Sequence, residues 1–416
     1  MIKIFSNASA IITVDTNGIN YKRGKSLDQI NLISDHSILV EDSVIKDFIP
    51  NQSLSKYSNY EYISLKDKII LPGLVESHTH TLFFGSRSEE FRQRLNGKSY
   101  EEIAANGGGI NNTMIAVRNA SFEEIINIAK PRIEYFISQG ITTMEIKSGY
   151  GLDFDNEIKL LSIIKRLNEI YPIDIIATFL GAHAYPPEFK GNHDSYLDLI
   201  INKMLPFIAK NNLAEFCDAF CEKTAFSPNE VNLIFDKALE LGLNVKLHTD
   251  QFTSMNGIST AIKYNAFSVD HLEVITEADI KNIAASEIVC TLLPGVSFFL
   301  NHPYAPAKKL IEENAIIALS TDYNPGSSNI ANLSLIMSIA ALKMGMTVEQ
   351  VISAVTINAA KAVNRNNISG SLEIGKKADF AVFCTNDYTD IVYNIGRNLN
   401  CMTVKNGEII YPGQSN

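Results

Sequence analysis

His78 and His80 are separated by one threonine, and side chains on an extended strand alternate between its two faces, so both imidazoles point the same way. Two such rings can grip one metal ion at about 2.0–2.1 Å. An isolated His-x-His is equally what two exposed loop histidines look like, so the rest of the chain has to decide. His248 and Asp322 follow short apolar runs in the same manner and complete a His-His-His-Asp set. That set suits Zn²⁺ or Fe²⁺ and leaves room for a water, which an ion of this kind makes nucleophilic near neutral pH. Further chemistry-bearing residues also end apolar runs: Lys147-Ser148-Gly149-Tyr150, His183, Glu222 and His271. Five of the eight histidines stand in such places, which scattered placement would not produce.

The elements that must carry these residues are short apolar runs alternating with amphipathic stretches. Eight runs read as strands: 69–75, 141–146, 173–180, 216–221, 244–247, 266–270, 288–293 and 316–320. Between them, 122–138 has helical periodicity, and Ser227-Pro228-Asn229-Glu230 opens another helix with an N-cap, a proline at the first position and an acidic first turn. Eight strands alternating with helices predict a parallel (β/α)8 barrel of the α/β class, whose C-terminal mouth is where active sites are built. Residues 1–70 and 366–416 have a different texture, with short alternating runs punctuated by Gly and Asn. Asn406-Gly407 between β-prone runs signals a hairpin. The expected division is 1–70 and 366–416 as the two parts of one small β-sandwich, with the barrel over 71–365.

Composition narrows the classes. The 416 residues carry a net charge of −10, which repels polyphosphate backbones and argues against nucleic acid. No run of about 18 apolar residues exists to span a membrane. The five cysteines lack paired spacing and fit a reducing, cytoplasmic setting, with Cys217 and Cys221 as small core residues. The partner expected is a small-molecule substrate, with a second copy of the chain allowed. Gly107-Gly108-Gly109 lacks the strand and full fingerprint of a dinucleotide loop and reads as a loop near the mouth. His36, His193 and His302 read as surface or loop residues.

Leu71-Pro72-Gly73-Leu74-Val75-Glu76-Ser77-His78-Thr79-His80 resembles the first-strand motif of the amidohydrolase superfamily, and Gly370 to Phe380 resembles the segment that returns to its small β-domain. Within it, Phe84-Gly85-Ser86-Arg87, Glu145 to Leu152, Phe179 to His183, Leu247 to Phe252 and Ser320 to Ser327 resemble the imidazolonepropionase family, over nearly the whole chain. The resemblance implies hydrolysis of 4-imidazolone-5-propanoate to N-formimidoyl-L-glutamate, a step of histidine breakdown. It implies one Zn²⁺ or Fe ion held by His78, His80, His248 and Asp322. Substrate contacts would be Arg87, Tyr150, His183, Gln251, Asn324, Gly326 and Ser327. Arg87 suits a propanoate tail, because guanidinium clamps carboxylates in a fork. Asp322 would shuttle the proton, and His183 or His271 would stabilise the oxyanion or orient the water. Binuclear relatives use a modified lysine after strand four; here the register turns Glu222 rather than Lys223 inward, which favours one ion. The other readings are a heterocycle deaminase of the same superfamily and a catalytically inactive assembly protein. Against the deaminase stands Gln251, where related deaminases usually carry Glu, because an amide passes no proton at neutral pH.

Overall fold

The computed structural model describes residues 2–98, 102 and 108–412. Eight parallel strands form one sheet in sequential order: β1 (Leu74–Glu76), β2 (Ile141–Lys147), β3 (Asp174–Ala182), β4 (Phe216–Cys221), β5 (Asn244–Thr249), β6 (Ser268–His271), β7 (Val289–Leu292) and β8 (Ile316–Leu319). Each strand expected from the apolar runs is present. The first run is divided, however. Ile69–Pro72 pairs outside the barrel, and only Leu74–Glu76 enters it. Gly73 makes the transfer where its backbone presses on the Thr142 side chain, so no Cβ fits there.

The sheet curls into a barrel whose first and last strands meet only past their ends. Thr79 bridges Tyr323, Asp322 N donates to His78 O (3.1 Å) and His80 N donates to Tyr323 O (3.0 Å). Lower down, Val75 N donates instead to Val355 O, and the helix Ile357–Ala362 plugs the barrel floor with Ala359, Ala360 and Ala362 against Val75, Ile176, Phe216 and Ala318. The closing bridge therefore sets residues 78, 80 and 322 side by side.

The surrounding helices form where the patterns place them. Phe122–Ser138 and Pro228–Glu240 both begin with capping boxes, from Ser121 with Glu124 and from Ser227 with Glu230, so two orphan amides at each start are satisfied. A small β-sandwich is built from both chain ends. One sheet runs Val44–Pro50, His36–Glu41, Ile2–Ser6, Glu61–Ser64; the other runs Glu408–Pro412, Asn400–Lys405, Phe380–Phe383, Ile69–Pro72, Ala10–Ile12, Leu32–Ile33. Phe380 and Val382 face the sandwich core, where Phe380 meets Phe5 edge to face at 4.7 Å. Ala381 and Phe383, on the opposite face, join the core around the barrel. Asn406 and Gly407 take φ of 53° and 77°, the two positive values that a tight hairpin of this kind demands. Among the described residues, no helix is long and apolar enough to cross a membrane. Cys217 and Cys221 are buried among apolar neighbours.

Candidate metal centre and substrate site

His78, His80, His248, His271 and Asp322 converge at the barrel mouth, each 3% exposed or less. His78 Nε2 and His80 Nε2 lie 3.4 and 3.3 Å from Asp322 Oδ1. A second trio, His78, His248 and His271, also offers ligand atoms within 4.8 Å of one another. His78 belongs to both trios, so the four expected ligands are joined through it and His271 stands beside them. The donor set fits a divalent ion. His78 Nε2, His248 Nε2 and Asp322 Oδ1 are buried and hydrogen-bond to nothing among the described residues, a costly arrangement unless a cation takes them. Two ligands about 2.1 Å from one tetrahedral ion stand roughly 3.4 Å apart, which matches the Asp322 contacts.

The backbone is strained here. Asp250, His271, Leu272 and Asp322 have φ of 54°, 90°, 73° and 48°, a region that side-chain-bearing residues rarely adopt and that collects at functional sites. Electrostatics separate the group. Burial opposes ionisation of Asp322, but the His78 and His80 rings beside its Oδ1 outweigh it and hold the carboxyl well below the usual range. Burial and Lys147 push the His78 imidazolium down, while Asp270 and Asp322 more than compensate and lift it to about 9. Burial dominates for His248 and keeps it well below its ordinary value.

His183 follows β3, and its ring stacks on His80 at 5.2 Å; Tyr150 lies 5.5 Å from His183 and 5.7 Å from His80. Burial and the neighbouring His80 push His183 down to about 3, so it is neutral. Its Nδ1 lies 2.9 Å from Gly149 O. A carbonyl only accepts, so the proton sits on Nδ1 and Nε2 presents a lone pair. His183 is thus equipped to accept from a ring N–H or a water, rather than to donate to a ring carbonyl. The Tyr150 loop is shaped by Glu157, which accepts from the amides of Gly149, Gly151 and Leu152 at 2.8–3.1 Å. Gly149 has φ of 99°, and a Cβ there would stand 2.8 Å from Leu180 O.

The loop after β8 brings Asn324, Gly326 and Ser327 together. Asn324 Oδ1 accepts from Gly326 N and Ser327 N, both at 2.8 Å, and Nδ2 donates to Asp322 O and Ser327 Oγ. Its four side-chain positions are therefore used in shaping the loop. Arg87 approaches the same loop, its Nη1 against the Gly326 Cα, and its Nε donates to Glu90 Oε2 at 2.7 Å. Glu90 also takes the amide of Gly109 (3.2 Å), while Gly107 lies outside the described residues. Gln251 is 8% exposed, and among the described residues none hydrogen-bonds its side-chain amide. Glu222 is buried and Lys223 exposed, but Glu222 turns to the next loop, accepting from the amides of Phe252 (3.0 Å) and Thr253 (3.1 Å) and from the Thr253 hydroxyl. It positions the segment that carries Gln251. His36 and His193 lie elsewhere, and His302 is an exposed loop residue whose ring lies 5.7 Å from that of the exposed Phe252.

The residues that sequence reasoning missed lie one layer deeper: Glu145, Asp218, Lys246 and Asp270, all fully buried on barrel strands. Their signal was a charge in the middle of an apolar run, as in Phe216-Cys217-Asp218 and Val269-Asp270.

Eight parallel strands with a His/Asp ligand set at their C-terminal mouth define a class: barrel hydrolases built around a divalent ion. The amidohydrolase family profile matches residues 69–410. The chain is 41% identical to the imidazolonepropionase of Clostridium tetani over 98% of both chains, and 40% identical to that of Flavobacterium johnsoniae over 99% of this chain and 100% of the relative. The imidazolonepropionase of Thermoanaerobacter pseudethanolicus is 43% identical over 90% of each. The chain belongs to the amidohydrolase family and, within it, to the imidazolonepropionases. Similar solved structures at low identity share the fold: a zinc-bound adenosine deaminase from Xanthomonas campestris (TM-score 0.74, 15% identity, 99% of this chain and 93% of that one) and a zinc complex of an atrazine chlorohydrolase from Arthrobacter aurescens (TM-score 0.69, 14% identity, 99% and 95%).

Proposed function

We propose that this chain hydrolyses the cyclic amide C–N bond of 4-imidazolone-5-propanoate, giving N-formimidoyl-L-glutamate. Relatives of that name, matched over nearly their full length, support the reading. The observation that carries it in the structure is the convergence of His78, His80, His248 and Asp322, with unpartnered ligand atoms, at the mouth that Tyr150 and His183 border, with Arg87 against Gly326 in the loop that follows Asp322. One Zn²⁺ or Fe²⁺ ion would be held by those four residues. When bound, such an ion supplies Lewis acidity and brings water's ionisation toward neutral pH.

The chain's own residues do the rest. Arg87 clamps the propanoate through its Nη edge, with Gly326 leaving space beside it. Gln251 reads a ring N–H or nitrogen through its amide. Neutral His183 accepts from the ring or the attacking water at Nε2. Asp322, kept ionised, takes the proton of the water as it attacks the ring carbonyl carbon and returns it to the departing ring nitrogen. With His183 an acceptor, the donor role toward the developing oxyanion passes from His183 to His271. The departing nitrogen belongs to an amidine, whose charge is delocalised, so Gln251 suffices where a deaminase needs an acid.

The test is loss of imidazolonepropanoate absorbance with purified, metal-loaded protein, alongside metal analysis. About one ion per chain is expected, and His78→Ala and His248→Ala should lose both ion and turnover. Full metal and turnover in either variant would remove the ligand assignment, and robust deamination of guanine, cytosine or adenine would overturn the function.

A further inference from the structure

Beneath the mouth lies a layer of charge that the reaction does not touch. Glu145 and Lys147 sit on β2, Asp218 on β4, Lys246 on β5 and Asp270 on β6, every one of them inaccessible to solvent. Lys147 Nζ lies 2.7 Å from Asp218 Oδ2, 2.8 Å from Glu145 Oε2 and 3.5 Å from Asp270 Oδ2. Lys246 Nζ pairs with Glu145 Oε1 at 2.8 Å and donates to Ser77 O. An ammonium is not taken out of water at such a depth without partners, and here it has three.

The oxygens that hold the ammonium also hold the histidines. Asp218 Oδ2 is 3.0 Å from His248 Nδ1, and Asp270 Oδ2 is 2.7 Å from His78 Nδ1. The remaining oxygens are tied locally, Asp218 Oδ1 to Ala219 N and Asp270 Oδ1 to Ser268 Oγ. A carboxylate only accepts, so the His78 ring, hydrogen-bonded to Asp270, carries its proton on Nδ1 and turns Nε2 toward the mouth, while His248 Nδ1 faces Asp218 Oδ2 as a close charged neighbour without a closed hydrogen bond. Asp218, His248 and Asp270 form a trio close enough to hold a cation themselves. The cation beside them is the Lys147 ammonium.

We propose that Lys147 is a positioning residue for the metal centre: its ammonium acts as a fixed internal cation that locks Asp218 and Asp270, and through them sets the His248 and His78 rings for the ion. This rests on the reading of the mouth as a metal site. Because one Nζ joins both carboxylates, the two histidines are oriented together rather than independently. The layer has three carboxylates against two ammonium groups, so it keeps one negative charge facing the arriving ion.

The experiment is zinc affinity by chelator competition, with thermal unfolding recorded on the same samples. Lys147→Met should weaken zinc binding by about 10–100-fold, the range typical when an outer partner of a ligand histidine is lost. Lys405→Met breaks a buried ion pair at the far end of the barrel and is the control for lost stability; its zinc affinity should be unchanged. An unchanged zinc constant in Lys147→Met overturns the proposal. A second arm does not need that variant to fold: Asp218→Asn and Asp270→Asn should each weaken zinc, and the double variant should depart from the product of the two effects, because they share one ammonium. Strict additivity overturns the coupling. His78→Ala in the otherwise unaltered protein separates the two levels. If it leaves zinc binding intact, the site reading falls and takes the proposal with it; if it abolishes binding while Lys147→Met does not alter it, only the proposal falls.

Discussion

Arg87 can clamp a carboxylate only while its guanidinium stays where Glu90 and Gly326 hold it. Arg87→Met should raise KM and lower kcat/KM by roughly 10², since a charge-assisted pair of about 1.5–3 kcal/mol is lost in a largely buried place. An imidazolone without the propanoate should be nearly indifferent to the change, and equal losses on both substrates would show that Arg87 acts elsewhere. Gly326→Ala makes a subtler version of the same test. A Cβ there would collide with Arg87 Nη1, and the Nε bond to Glu90 limits how far the arginine can retreat. KM should rise while metal content stays whole. For Gln251→Ala the expectation is a higher KM with an unaltered pH profile, because an amide holds the ring without moving protons; an unchanged KM would reduce Gln251 to a loop residue. At this scale, much was legible in the sequence. Strand-end histidines announce themselves by spacing, and period two puts His78 and His80 on one face. The proton on His183 was not legible, because it depends on a carbonyl, Gly149 O, contributed by another strand's loop. Nor was the use of Asn324 in its own turn, which is set by loop conformation rather than residue type.

The loop of residues 148–152 places Tyr150 and, through Gly149 O, His183, and it hangs on one buried carboxylate. Burial pushes Glu157 up and the loop's amides pull against it, but the carboxyl stays above its ordinary value. Glu157→Gln replaces one accepting oxygen with an NH₂ that faces N–H donors. The loop should loosen, with stability falling by about 1–3 kcal/mol and KM rising, while bound metal is unchanged because no ion ligand sits on that loop. Loss of metal in this variant would mean that the loop and the ion site are mechanically one. Element boundaries show why a sequence yields strands more readily than their partners. The apolar run 69–75 has a single texture, yet it serves two sheets, since Gly73 removes the side chain that would meet Thr142 and lets the chain pass from sandwich to barrel. The plug Ile357–Ala362 escaped notice for the opposite reason: its alanines carry little periodic signal, and only the gap between β1 and β8 gives them a task.

At the scale of the molecule, the barrel and the two-ended sandwich are joined by Lys405, which is almost fully buried between Asp174 at the start of β3 (2.8 Å) and Asp379 beside the sandwich strand Phe380–Phe383 (2.7 Å). Neither the pairing nor its burial can be read from residues 231 positions apart. Lys405→Met strands Asp379, which is 2% exposed, and should cost about 3 kcal/mol, the loss expected when one partner leaves a buried pair. Urea unfolding at neutral pH measures it. Turnover in the folded fraction should be preserved, because the site lies at the opposite end of the barrel. The junction also predicts a direction with pH. Burial raises Asp174, but Lys405 outweighs it, so the folded value lies below the unfolded value of about 3.9. Its contribution is complete above roughly pH 4 and is lost as pH falls through the folded value, since protonation then favours the unfolded chain. Asp174→Asn should therefore lower stability at neutral pH and flatten its fall on acidification. An acid limb as steep as that of the unaltered protein would mean that other carboxylates govern the response and that the junction is not what acid opens first.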